Sequence, residues 1–304
     1  MRKTVKRILA SSILIGLVTT SGLVTIIFFP EPLFANKLEH GQFNVYSNDK
    51  IDNDIKQILD NAVSLVRDSE LYDKSYHFDI FLSYNSSFNK LDDRILGYGP
   101  SARATDNNIT IKVAVDIKKN LFFPTFYQKC EGNLTDLLAH EMVHCLQDNK
   151  YGKLKFNPFR HPELWKLEGY PEYVARRTKL QSIDYSLANE IERYIELEGK
   201  STDIWIAIEK DGCKAPKYYY KSRLLTEYLM DVKHFTYDKI LNDTVSEDRI
   251  YEEMIKWKDS TKGQKIRAEK GPASNKRLCN RVDVLASWNF KHIVNPDRIK
   301  NKRL

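Results

Sequence analysis

The chain has 304 residues, 42% of them hydrophobic and 12% aromatic, enough for one good-sized core and too polar for a protein that crosses a membrane many times. Its net charge of +7 sits at the two ends: residues 261–304 carry +9 and the first seven carry +4, which leaves −6 on residues 8–260. No motif of nucleic-acid recognition accompanies the basic ends, so a nucleic-acid partner is not expected.

In chain order, residues 1–7 form a basic flank with Arg2, Lys3, Lys6 and Arg7, followed by an uncharged apolar stretch over 8–29 that Pro30 and Glu31 close. That stretch is long enough to cross a bilayer as one helix. A secretory signal has a shorter apolar region, and Leu33-Phe34-Ala35 is a poor cleavage site, so the expectation is a retained transmembrane signal anchor. A cleaved signal peptide and a secreted product are the alternative. Positive charge before the span puts the N-terminus in the cytoplasm and the rest of the chain outside it.

Residues 30–41 read as a linker, 42–260 as one catalytic domain and 261–304 as a basic, solvated tail able to meet anionic lipid or envelope polymer. Within the domain, 42–46 alternates like a strand, and Ile51, Ile55, Ile58, Leu59, Ala62, Val63 and Val66 recur at helical spacing. Residues 77–82 and 109–115 read as further strands, the second after a polar loop over 97–108. From there the pattern is helical. Asn133 or Thr135 caps a helix running to about Asn149, which Tyr151-Gly152-Lys153 ends. A loop with Pro158, His161 and Pro162 follows, and Pro171 is placed for the first turn of the next helix. Helices are also expected over 185–197, 217–232 and 246–257, the last behind a capping box at Thr244 and Glu247. The fold class is therefore α+β, a small N-terminal mixed sheet with a helix on it and a mostly helical C-terminal half. Of the four cysteines, Cys130, Cys145, Cys213 and Cys279, the one beside His144 is expected to stay a small buried hydrophobe rather than pair.

The residues that carry chemistry are His140-Glu141-Met142-Val143-His144. Histidines four apart on a helix share a face, so both imidazoles reach one metal ion, while Glu141 is rotated to reach a water beside that ion and take its proton. Such a motif arises by chance in about one chain of this kind in a hundred. Its flanks, Leu134, Leu137, Leu138, Ala139, Met142, Val143 and Leu146, are apolar, as a buried active-site helix requires. A catalytic zinc takes three protein ligands, and the downstream candidates for the third are His161, Glu163, Glu168 and Glu172.

Together with Trp165-Lys166-Leu167-Glu168-Gly169-Tyr170 and Glu172-Tyr173, the motif resembles the gluzincin metallopeptidases, the group that includes thermolysin and the zinc aminopeptidases. The resemblance implies a zincin-like domain in which Glu168 is the third Zn2+ ligand and Glu172 supports a ligand histidine, His140. It also implies that a tyrosine on the helix around 219–229 hydrogen-bonds the oxyanion of the reaction; Tyr219 is chosen, with Tyr218 and Tyr220 competing. The exopeptidase motif of the aminopeptidases and the third histidine of the metzincins are both absent. The implied activity is hydrolysis of a peptide or protein substrate, with Glu141 as general base. An extended substrate is expected to add to the sheet at 109–115, with Lys112 and Arg103 lining the cleft. Two other readings stay open: a non-catalytic, zinc-stabilised binding domain, and a zinc amidase acting on a non-protein amide.

Overall fold

The computed structural model describes residues 2–97, 100–124, 130–152, 161–176, 185–201, 203–207 and 214–268. Pro158, Cys213, Cys279 and the tail beyond 268 lie outside the described residues. The chain opens with an apolar helix α1 (Arg2–Phe28), whose segment Ser11–Phe28 is long and apolar enough to cross a membrane and has none of its length buried. A short 3-10 turn, Glu31–Leu33, leads straight into the first strand.

That strand, β1 (Asn36–His40), belongs to a five-stranded mixed sheet with β2 (Phe43–Ser47), β3 (Phe78–Leu82), β4 (Ala102–Thr105) and β5 (Asn108–Ile111), in the order β1-β2-β3-β5-β4. Residues 30–41, expected as a linker, thus include a 3-10 turn and a strand of the sheet. Leu38 and His40 alternate with charged neighbours too weakly to read as a strand alone, and the pairing with β2 supplies what propensity does not. The central pairs β2–β3 and β3–β5 are parallel. Between β2 and β3 runs α2 (Ile55–Val66), which buries Ile55, Ile58, Leu59, Ala62 and Val66 in the common core, the spacing that foretold it. On the opposite face, Phe34 packs on Phe81 and on Phe88 of α3 (Ser87–Leu96), and Tyr46 stacks on Phe81.

The expected strand over 109–115 is divided between β5 and β6 (Ala114–Asp116). The chain leaves the sheet at Lys112, whose side chain is pulled inward to Asp92 at 2.7 Å and to Asp93. Nor is β5 the edge: it lies between β3 and β4, and β4, inside the expected loop 97–108, is the edge strand instead. Arg103 made that segment read as polar, yet its guanidinium is buried and paired with Asp92 at 2.7 Å. Arg103 and Lys112 therefore hold α3 onto the edge of the sheet and do not line a cleft.

A small antiparallel sheet of β6, β7 (Leu121–Phe123) and β8 (Gly132–Asn133) delivers the chain to α4 (Leu134–Tyr151). Asn133 caps that helix by accepting from the Asp136 N–H at 3.0 Å, and Gly152, at φ +84°, ends it. The C-terminal half comprises α5 (Leu164–Ala175), α6 (Leu187–Gly199), α7 (Lys217–Glu227) with a π turn after it, α8 (Tyr237–Asn242) and α9 (Glu247–Ala268), plus a two-stranded pair, β9 (Trp205–Ala207) and β10 (Lys214–Pro216). Pro171 is not in a first turn but in the middle of α5. The cap of α9 is Ser246, whose hydroxyl accepts from the Arg249 N–H at 3.4 Å, rather than Thr244. The boundary expected at 260 falls inside α9. Cys145 is free and buried, whereas Cys130 is in a disulfide whose partner lies outside the described residues.

The ion network at the sheet edge gives a direct prediction. Asp92→Ala leaves Arg103 with no carboxylate contact seen here and Lys112 with Asp93 alone, and should lower unfolding stability by about 3–5 kcal/mol in denaturant titration. A change under ~0.5 kcal/mol would mean the edge strand is held by other contacts.

Candidate metal centre

Residues Leu134 to Gln147 of α4 are buried on every side, so this helix is enclosed rather than amphipathic. His140 and His144, one turn apart, share the face that meets α5, where Glu168 and Glu172 are likewise one turn apart. Crossing the two helices brings the four side chains together. His140 Nε2 and His144 Nε2 are 3.0 Å apart, and Glu168 Oε2 lies 3.4 Å from the first and 3.2 Å from the second. These three residues form a buried group that could hold a metal ion. Glu163 is turned to the Trp165 indole, which donates to it at 2.6 Å, and neither it, His161 nor His234 joins the group.

The far side of each imidazole is also occupied. His144 Nδ1 lies 2.8 Å from Gln147 Oε1, and the Gln147 amide donates to the Leu167 carbonyl at 3.1 Å and to the Tyr237 hydroxyl at 2.6 Å. Gln147 is thus fixed, which places a proton of His144 on Nδ1 and leaves Nε2 as the nitrogen that faces Glu168. The Leu167 carbonyl is open to Gln147 because Pro171, four residues on, has no N–H to give it. His140 Nδ1 lies 3.2 Å from Glu172 Oε1, at an angle too bent for a good hydrogen bond, and Glu172 is held in turn by Arg176 at 3.2 Å. Arg176 reaches on to Asp136 at 3.3 Å. Sequence reading found Glu172 but missed Gln147 and Arg176. Helical spacing was the available signal, since Gln147 is three residues after His144 and Arg176 four after Glu172.

Burial alone would strip charge from these groups, and their mutual attraction reverses that. Burial pulls the His140 pKa down, but Glu168 and Glu172 outweigh it and lift the value to about 10; His144 is raised by Glu168 in the same way. Burial pushes Glu168 up, but the two histidines bring it down to about 2, and Arg176 with His140 does the same for Glu172. The centre is therefore a place where positive charge is strongly favoured.

Glu141 behaves differently. It is 1% exposed, one carboxylate oxygen has no hydrogen-bond partner, and burial raises its pKa despite the nearby histidines and the neighbouring Ala104 N–H of edge strand β4. Tyr219, on α7, sets its ring edge-on to His140 with centroids 6.2 Å apart. Tyr218 has its pKa raised by burial and the nearby Glu168 charge. Tyr220 is turned away and donates to Glu190. What allows α7 so close is Gly169, where a Cβ would collide with the Thr226 hydroxyl and come within 2.5 Å of the Ser222 carbonyl oxygen.

Fold and site together define an α+β protein with a mixed sheet and a buried His-His-Glu group suited to a metal ion. No family model, curated protein or solved structure matches the chain.

Two predictions follow from this geometry. Gly169→Ala should destabilise the domain by about 1–3 kcal/mol and weaken metal binding, because backbone of α7 must retreat; wild-type melting and metal affinity would refute the close-approach role. In protein stripped of metal, stability from His140 is present below its unfolded pKa of 6.5 and lost as pH rises toward 10, while that from Glu168 and Glu172 is present above 4.5 and lost as pH falls toward 2. Thermal melts should therefore give a plateau between about pH 4.5 and 6.5; stability rising steadily from pH 6 to 9 would contradict the arrangement.

Proposed function

We propose that this chain is a membrane-anchored, extracytoplasmic zinc metallopeptidase of the gluzincin type, with His140, His144 and Glu168 as zinc ligands and Glu141 as general base. The observation that carries it is the spacing of the donors. Ligand atoms ~2.0–2.1 Å from a tetrahedral zinc stand about 3.3–3.4 Å from one another, and the three here are 3.0, 3.2 and 3.4 Å apart. Among the described residues the group has three donors rather than four, which favours an open, catalytic site over a closed structural one.

Zinc bound there supplies a Lewis acid that polarises a carbonyl and acidifies water. The protein's own groups supply the rest. Glu141, next to His140 in the chain and within the electrostatic influence of both histidines, keeps a buried, unpartnered oxygen that can take a proton. Gln147 holds the His144 imidazole in the orientation that directs Nε2 toward the ion, and Glu172 sets a carboxylate beside His140 Nδ1. Tyr219, beside His140, is the donor chosen for an oxyanion.

Edge strand β4 gives the substrate a place to lie. The Ala104 N–H is directed at Glu141 rather than at β5, and by two-residue alternation the main-chain groups of Ala102 face the same way. Ala102 is fully buried, so the part of this edge within reach of an extended peptide is Ala104 and Thr105 at the hairpin end, and a peptide laid there would run toward the metal centre, which supports a peptide over another amide. α1 would be the anchor, and retention is supported by Asn108, 2% exposed, whose amide donates to the Phe28 carbonyl at 2.9 Å. Removing α1 would leave that buried amide without the bond, a cost of about 1–3 kcal/mol.

Glu141→Gln keeps the size of the side chain and removes the base. It should leave one zinc per chain, measured by elemental analysis, and reduce hydrolysis of a fluorogenic peptide library by about 10²–10⁴-fold. Undiminished hydrolysis in this variant would sink the mechanism, and wild-type protein that binds zinc but cleaves nothing would favour the binding-domain reading.

A further inference from the structure

The contact between Asn108 and the end of α1 reaches further than anchoring. Phe28 is the last residue of the apolar helix, and its carbonyl accepts from Asn108, the first residue of β5. Asn108 pairs across the hairpin with Thr105, and the next residue of β4 is Ala104, whose N–H lies close to Glu141. Two residues of strand therefore separate the end of the apolar helix from the base of the metal centre. At ~3.3 Å per residue along a strand and ~4.8 Å between strands, that is a distance on the order of 15 Å.

No free linker loosens this geometry. Phe29 continues the helical hydrogen bonding, with its N–H bonded to the Thr25 carbonyl at 2.8 Å, and Pro30 is buried. The 3-10 turn follows at once, Phe34 is wedged between Phe81 and Phe88, and the Ala35 N–H bonds Asn48 before β1 begins. Apolar side chains stay exposed at this junction, Phe29 at 64% and Leu33 at 45%, as suits a surface that meets lipid headgroups and acyl chains rather than water.

Resting on the reading of α1 as a retained span and of the metal centre as a peptidase site, we infer that the domain is docked at a fixed height on the bilayer and acts on peptide segments that emerge from the membrane. The hairpin end of β4 is the membrane-facing end of the substrate strand. A chain lying along β4 enters or leaves the cleft within reach of the headgroups, and about five extended residues cover that distance. The substrate class is thus the juxtamembrane stretch of another membrane-bound or lipid-tethered protein. Freely diffusing peptides reach the same cleft without the advantage of being held beside it.

The test uses the full chain in lipid nanodiscs. A fluorophore on Asn107→Cys, in the β4–β5 turn, is compared with one on Tyr84→Cys, beyond the opposite end of β3, using headgroup-quencher lipid. Quenching several-fold stronger at 107 than at 84 is expected, and a flexible Gly-Ser insert of about 12 residues after Phe29 should erase the difference. Asp106→Cys provides the same reading if the first variant folds poorly. Equal quenching at the two ends of the sheet overturns the inference whatever the enzyme does. In the same discs, one peptide is displayed on a lipid with a spacer of about six residues or of about forty. Roughly tenfold preference for the short spacer, lost with the Gly-Ser insert, supports the substrate class, and equal rates overturn it. If neither peptide is cut while the quenching difference holds, the peptidase reading and the substrate class built on it fail, and the fixed docking stands.

Discussion

Five ionisable side chains, His140, Glu141, His144, Glu168 and Glu172, are packed into a region where none is more than 8% exposed. Leaving charges in such a place without partners is costly, and neutralising them all would remove the chemistry. The arrangement of the domain is largely an answer to that constraint. Two helices cross so that each imidazole meets a carboxylate, and two of the groups are held from behind: His144 by Gln147, and Glu172 by Arg176, which reaches on to Asp136. Glu141 alone keeps an unpartnered oxygen, and it is the group whose charge burial disfavours. A carboxylate in that state is poised to accept a proton, whereas Glu168 and Glu172 are held ionised by cations.

The sheet has a matching role. Its edge must stay beside α4, and an edge strand has a sheet neighbour on one side only to hold it. Asp92 supplies the hold from behind, accepting from both Arg103 of β4 and Lys112 just past β5. The two halves of the domain are joined on the other flank by Tyr170, whose hydroxyl accepts the Glu70 N–H and whose ring stacks on Tyr237 at 4.1 Å. Tyr237 in turn receives the Gln147 amide and donates to the Lys166 carbonyl. A packing contact between halves thereby becomes part of what orients His144.

What could be read from the sequence was what local periodicity encodes. The spacing of His140 and His144, the apolar flanks of α4, the helical repeat of α2 and the apolar length of α1 each depend only on neighbours in the chain. β4 escaped because the apolar positions of Ala102-Arg103-Ala104-Thr105 are alanines, which carry little strand signal, and its arginine is neutralised by a residue eleven positions away. β1 escaped because its pairing with β2, not its composition, makes it a strand. Pro171 was misplaced because proline at a helix start is the commoner arrangement, and only the neighbouring Gln147 reveals why one is tolerated in mid-helix.

That proline completes a pattern across Glu168-Gly169-Tyr170-Pro171-Glu172. Glu168 faces the two imidazoles and Glu172 backs one of them, as a pair four apart on a helix must. Gly169, between the faces, is the position where Ser222 and Thr226 of α7 come too close for any side chain, so the absence of a Cβ sets how near Tyr219 stands to His140. Tyr170 points to the opposite side and joins the halves of the domain. Pro171 withholds the hydrogen bond that would have occupied the Leu167 carbonyl, and the Gln147 amide takes its place. Each of the five positions acts on a different neighbour, so a substitution at any one would disturb the centre through a different contact. The glutamates are the part of this segment that resemblance to a known family could suggest; the glycine, tyrosine and proline acquire their meaning only from the helices packed against them.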